Sequence, residues 1–298
     1  MKMRGRLLAA AAFCVIAVFP SGAGSAPKKS AGNAIGGYVK SPYLGAIAVD
    51  AKDGRVLFED SSSVECLPAS CTKLMTARLL LKAISAGRLS LDDRIAQTAL
   101  SSREEPSKLD LAPGESVAAR DALAAIMVKS ANDMAVAIAE RLSGTVEAFV
   151  AEMNAEAASL CMTNTHFVSP NGLPPASSNR GYDRSTPADL AKLALAILRE
   201  QPEILEYTSM KSVRIPCRDG KVVEFRNHNN LVAKRNVMMK EADGLKTGFF
   251  RKAGFSIVAT GSRNGKRAVA VVVGSPSASL RDSAAKRMLG DALDALDW

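Results

Sequence analysis

Residues 243–274 run DGLKTGFFRKAGFSIVATGSRNGKRAVAVVVG, and three strand-length segments can be cut from them. Segments 243–249, 254–261 and 266–274 are rich in β-branched and aromatic residues, with polar punctuation between them. Asn264-Gly265 lies between the last two, and its composition is that of a tight two-residue hairpin turn. Strand candidates at 211–217 and 221–226 precede this block, and YLGAIAVD (43–50), a turn at Asp53-Gly54 and RVLFE (55–59) give a hairpin near the other end. From about 88 to 205 the apolar spacing becomes helical, as in DALAAIMVKSANDMAVAIAERLSG (121–144), VEAFVAEMNAEAASL (146–160) and TPADLAKLALAILRE (186–200). Gly and Pro at 170–175 mark a loop, and Leu280 to Trp298 forms an amphipathic helix with Met288, Leu289, Leu293 and Leu296 on one side. The expected fold is α/β (α+β): a mainly antiparallel sheet from both chain ends, flanked by helices, with a helical insertion subdomain.

The chain begins differently. Lys2, Arg4 and Arg6 precede an apolar run, Leu7 to Phe19, which Pro20 ends and the small residues SGAGSA follow. So short a run cannot cross about 30 Å of hydrocarbon as a helix, and residues 1–26 are expected to be a cleaved export signal. Residues 27–40 then form a flexible leader and 41–298 one folded domain, working in the periplasm or another extracytoplasmic space. Losing Lys2, Arg4 and Arg6 lowers the formal charge from +9 to +6. The basic residues are scattered without aromatic interleaving, which argues against nucleic acid as a partner. Cys14 leaves with the signal, while Cys66, Cys71, Cys161 and Cys217 enter an oxidising compartment. Their spacing selects no disulfide pairing, and buried thiols stay open as an alternative. With only His166 and His228 and no His-Glu-x-x-His, neither a metal nor another cofactor is expected.

Three short motifs carry chemistry. Ser-x-x-Lys occurs at Ser25, Ser70 and Ser283, but only Ser70-Cys71-Thr72-Lys73 opens an apolar helix, expected from Ser70 to about Ala86. Three residues apart on a helix, the Ser70 hydroxyl and Lys73 amine share a face. Lys73 can act as a base only if burial or a neighbouring cation such as Lys246 lowers its pKa. The bland alternative is a capping serine beside a solvated lysine. Ser130-Ala131-Asn132 lies in the apolar segment IMVKSANDMAVAIA, where buried polar groups need partners. Lys246-Thr247-Gly248 opens a late strand, offering a fixed cation, a hydroxyl donor and a glycine that admits close approach.

On these motifs the chain resembles the low-molecular-mass penicillin-binding proteins, the serine D-alanyl-D-alanine carboxypeptidases, which share a fold with the serine β-lactamases. The resemblance extends to PASCTKLMTA (68–77), GRLSLDD (87–93), LAPGESV (111–117), NTHFVSPNGL (164–173), STPADLA (185–191) and the whole of 243–261. It implies that Ser70 is the acylated nucleophile, Lys73 the proton acceptor and Ser130 the relay to the leaving amine. Asn132, Lys246 and Thr247 would bind substrate, and the backbone N–H groups of Ser70 and Phe249 would form the oxyanion hole. Arg251 would help to hold the substrate carboxylate. Phe249 departs from the His or Tyr that several relatives carry there, which bears on substrate preference. The implied substrate is the peptidoglycan stem peptide, with β-lactams as inhibitors. His166 and His228 are expected to be structural, since no Gly-x-Ser-x-Gly elbow supports a Ser-His-Asp triad. Many relatives append a β-rich domain and a C-terminal membrane helix; an end at Trp298 leaves no room for either, so a soluble enzyme without a C-terminal anchor is expected. Nothing in the sequence sets an oligomeric state.

Three rival functions remain. A DD-endopeptidase acting on cross-links would use the same site. A β-lactamase of the commonest class needs a deacylating Glu in a Glu-x-x-Leu-Asn loop, and NTHFVSPNGL offers none. A non-catalytic penicillin-binding or sensing module would not need the paired Ser and Lys.

Overall fold

A computed structural model describes residues 42–173 and 181–297. The first hairpin is β1 (Gly45–Asp50) and β2 (Val56–Asp60). Helix α1 (Lys73–Ser85) follows, then a short ladder of β3 (Arg94–Ala96) and β4 (Ser116–Ala118). Five more helices come next: α2 (Ala119–Ala124), α3 (Asn132–Ser143), α4 (Val146–Ser159), α5 (Pro187–Glu200) and the short α6 (Ile204–Thr208). A hairpin of β5 (Ser212–Pro216) and β6 (Val222–Arg226) and the single turn α7 (Asn230–Ala233) precede β7 (Ala242–Phe250), β8 (Gly254–Arg263) and β9 (Lys266–Ser275). Helix α8 (Ala278–Asp297) comes last.

Strands from both ends join in one antiparallel sheet of order β2-β1-β9-β8-β7. Asn264 and Gly265 both take positive φ, 51° and 75°, which the two-residue turn between β8 and β9 requires. Alternation along the strands divides their side chains between two layers. Ile47, Val49, Val258, Val269, Val271 and Val273 face a core shared with α1, α3 and α5. Ala46, Ala48, Ile257, Ala259, Ala270 and Val272 face α8, which lays Ala285, Met288, Leu289, Leu293 and Leu296 against them. Each Leu or Met so buried contributes about 1.5–3 kcal/mol, so the amphipathic tail is an outer layer of the fold. The mixed architecture with an antiparallel sheet is the one expected.

Three local features differ from the sequence expectation. The helical stretch 121–144 is broken: α2 passes into a π-helical segment, Ala125–Lys129, and Ser130 turns left-handed before α3 begins. Strands β5 and β6 pair only with each other, their Val213, Ile215, Val223 and Phe225 turned towards the helical core. The β3–β4 ladder went unforeseen because three-residue strands show too little alternation. Cys66, Cys71 and Cys217 are free and buried, which matches the thiol alternative. The expected signal and leader, residues 1–40, and Trp298 lie outside the described residues, as does the end of the 170–175 loop. No helix among the described residues is long and apolar enough to cross a membrane.

Candidate active site

A 3-10 turn, Ala69–Thr72, runs directly into α1. No side chain caps either element, so Ser70 is not a capping serine. Ala69 holds φ 49°, a left-handed conformation that costs a non-glycine residue about 1–3 kcal/mol and persists only where its surroundings enforce it. Two glycines show what enforces it. A Cβ on Gly172, itself at φ 87°, would overlap the Ala69 carbonyl. A Cβ on Gly248 would stand 2.6 Å from the Pro68 carbonyl oxygen and 3.2 Å from the Cys71 nitrogen. The loop that carries Gly172 and strand β7 therefore grip the Ser70 turn from two sides, backbone against backbone.

Lys73, the first residue of α1, is completely buried. Its Nζ donates to Asn132 Oδ1 at 2.7 Å and to the Asn171 carbonyl at 2.6 Å, and lies 3.1 Å from Ser70 Oγ. Burial, with the charge of Lys246 second, holds its pKa well below the ordinary lysine value. A neutral amine has two N–H groups and one lone pair; the two amide oxygens take the N–H groups, which turns the lone pair to the Ser70 hydroxyl. Next to it, Thr72 donates to the buried carboxylate of Asp183 at 2.7 Å. Asp183 also accepts from the Val168 and Ser169 amides at 2.7 and 3.0 Å, tying α1 to the loop that carries Asn171. Burial raises the Asp183 carboxyl to about 6 against these hydrogen bonds.

The break after the π-helical segment positions the second serine. Ser130 adopts φ 63° and ψ 35°, and Asn132 starts α3 two residues on. Loop 104–110 braces the break: Ser107 Oγ donates to the Lys129 carbonyl at 2.9 Å, and the Asn132 backbone N–H to the Ser107 carbonyl at 2.6 Å. Asn132 Nδ2 donates to the Glu105 carbonyl at 3.0 Å, which fixes Oδ1 towards Lys73 and leaves one N–H of the amide for a ligand. Asp133 Oδ2 accepts from the Leu109 amide at 2.9 Å and so anchors the same loop.

Strand β7 closes the constellation from the sheet edge. Lys246 Nζ donates to Ser130 Oγ at 3.0 Å and to the Thr247 carbonyl at the same distance. It is buried, which lowers its pKa to about 8 and leaves it mainly charged at neutral pH. Burial and the Lys246 charge thus push the amine beside Ser70 towards its neutral form, while the amine beside Ser130 stays mainly charged. Phe249 is half exposed and stacks on Phe255, its cross-strand partner, with centroids 4.0 Å apart. Arg251 is exposed in the turn that follows. His166 exchanges backbone hydrogen bonds with Arg184, and the His228 backbone N–H donates to the Val128 carbonyl; burial, with the charges of Lys246, Lys129 and Lys73 behind it, lowers the His228 pKa to about 4.

Ser70, Lys73, Ser130, Asn132, Lys246 and Thr247 are therefore brought together. The motifs do not reveal the parts played by Asn171, Asp183 and Thr72. Asn171 lies in SPNGL, whose tight Gly172 was a signal; Asp183 carries none, since one acid in a polar loop looks solvated until the loop folds over α1. Among the described residues, no group of His, Cys, Asp and Glu side chains is arranged to hold a metal.

The antiparallel sheet, the inserted helices and a Ser-Lys pair facing a sheet edge together define the class of the serine penicillin-binding fold. Residues 43–277 match the Peptidase S11 family, D-alanyl-D-alanine carboxypeptidase, and the chain belongs to that family. It is 30% identical to D-alanyl-D-alanine carboxypeptidase DacF of Bacillus subtilis over 82% of this chain and 60% of that one, so it spans about three fifths of that relative's length. The crystal structure of the D-alanyl-D-alanine carboxypeptidase DacD from Francisella tularensis superposes with a TM-score of 0.78 at 26% identity, over 86% of this chain and 71% of that one. Penicillin-binding protein D2 from Listeria monocytogenes, in its cefotaxime-bound form, gives 0.74 at 30% identity, over 84% of this chain and 97% of that one.

Proposed function

We propose that this protein hydrolyses the terminal D-Ala-D-Ala bond of peptidoglycan stem peptides through an ester on Ser70, and that β-lactams acylate the same serine. Ser70 Oγ attacks the penultimate D-Ala carbonyl while its proton passes to the Lys73 lone pair. The backbone N–H groups of Ser70 and Phe249 stabilise the oxyanion. As the C–N bond breaks, Ser130 gives its proton to the departing D-alanine amine and takes in return the proton that Lys73 accepted, which leaves Lys73 neutral again, and Lys246 holds the Ser130 hydroxyl in line. Lys246 and Thr247 receive the terminal carboxylate, and the remaining Asn132 N–H binds a peptide carbonyl. Water then cleaves the ester and returns the proton to Ser70. The strained β-lactam amide mimics the scissile bond and its carboxylate the C-terminus, so the first half of the cycle suits both.

One observation carries this reading: a buried amine with both N–H groups engaged stands 3.1 Å from a serine hydroxyl. Membership of the family supports the same substrate class. Residues 1–26 we read as an export signal, which delivers the domain to its substrate outside the cytoplasm. The test is direct. Purified protein given a D-Ala-D-Ala pentapeptide should release D-alanine, and labelled penicillin should attach to the wild type but not to Ser70→Ala. Labelling of the Ser70→Ala protein, or no D-alanine from an acylation-competent wild type, refutes it.

A further inference from the structure

Glu104 stands beside the same machinery and has no counter-ion among the described residues. Its Oε2 accepts from Asn171 Nδ2 at 2.8 Å, and the carbonyl of its neighbour Glu105 accepts from Asn132 Nδ2. Asn171 and Asn132 are the two residues that hold the Lys73 amine, so Glu104 lies next to both arms of that grip. The other acids nearby are provided for. Glu105 pairs with Lys108 at 2.6 Å, Asp110 meets Lys108 and Arg218, and Asp133 and Asp183 are held by backbone amides. Among the described residues Glu104 makes no ion pair. Lys73 is the basic group nearest to it, and burial lowers the pKa of that amine. Glu104 is itself partly buried, and burial raises its carboxyl against the pull of Asn171. A carboxylate that loses water without gaining a cation is costly, and a bound cation removes the cost.

The geometry also selects the kind of cation. With Oε2 already accepting from Asn171, Oε1 is the oxygen left fully open, and a compact ammonium needs only that one, whereas a forked guanidinium must share Oε2 with the Asn171 amide. We propose that Glu104 recognises a primary ammonium on the bound peptide, so that stem peptides with an unblocked amino side chain are the preferred donors. The inference rests on the peptidase reading above and narrows its substrate class.

The test uses two pentapeptides ending in D-Ala-D-Ala that differ only in whether the side-chain amine of the residue before that pair is free or acetylated. D-alanine release gives kcat/KM for each with wild type, Glu104→Gln and Glu104→Asp. Wild type should prefer the free amine about tenfold, the size of one charge-assisted hydrogen bond. The preference should reside in KM, shrink with added salt, fall to about one in Glu104→Gln and partly return in Glu104→Asp. A wild-type ratio near one, or a ratio unchanged in Glu104→Gln, overturns the proposal while leaving the peptidase reading intact. Release from neither peptide refutes the peptidase reading itself, and this inference with it.

Discussion

Gly248→Ala tests whether the grip of β7 on the nucleophile turn sets the rate of acylation. The added methyl would stand 2.6 Å from the Pro68 carbonyl oxygen, 3.2 Å from the Ala69 Cβ and 3.2 Å from the Cys71 nitrogen. Ordinary contact starts at 3.4 Å, and backbone atoms cannot rotate away, so strand and turn must part by about 0.8 Å. The two proposed oxyanion donors, Ser70 N–H and Phe249 N–H, lie on opposite sides of that contact, one residue from it. Donors work within about 2.7–3.1 Å of the oxyanion, so the separation removes one of them, at about 3–4 kcal/mol of transition-state stabilisation. Overpacking destabilises the fold by about 1–3 kcal/mol. The assay is the second-order rate of labelled-penicillin attachment, with thermal unfolding of the same sample as a check on folding. Acylation should drop at least about a hundredfold in a protein that still unfolds cooperatively. A folded Gly248→Ala protein acylated within about threefold of wild type refutes the reasoning.

Lys73→Ala should lower acylation by at least about a thousandfold with the protein still folded, since it removes the proton acceptor; wild-type-like labelling excludes Lys73 as the base. The acylation rate should be bell-shaped in pH, because Lys73 must be neutral and Lys246 charged. The alkaline limb should fall near pH 8 and vanish in Lys246→Arg, whose guanidinium stays charged beyond about pH 12. Asp183→Ala strands the Thr72 hydroxyl and two backbone amides and should cost roughly 3–5 kcal/mol, read from denaturant unfolding. Its pH signature follows from a folded carboxyl raised from 3.8 to about 6. The native protein binds that proton more tightly than the unfolded chain, so this stabilisation is full below pH 3.8 and is lost as pH rises through about 6. Asp183→Ala should lack that decline.

Individual residues show why some of this was legible in the sequence. Lys73 was suspect because it opens an apolar helix, and its observed burial follows from that surrounding. The tail helix was legible because Met288, Leu289, Leu293 and Leu296 recur at helical spacing, and all four are buried. Ser130 was legible as a polar residue in an apolar run, but the break it makes in the helix was not. Its left-handed backbone is sustained by Ser107 and Lys246, far away along the chain. Asp183 looked like any loop acid, because its four donors come from two separate segments, Thr72 and Val168–Ser169, brought together only by folding.

Periodicity and motif chemistry alone specified strands at both chain ends, helices between them, and which serine and which lysines to suspect. These are local properties, written in the spacing of neighbouring residues. The tertiary structure decided pKa and reach: which of two lysines is pushed further towards its neutral form, which amide oxygens hold it, and how closely a strand edge approaches Ser70. Those depend on burial and on contacts between segments up to 175 residues apart, such as the Cys71 thiol meeting the Lys246 carbonyl. Desolvation acts only once the chain has closed around a group, and no local pattern carries it.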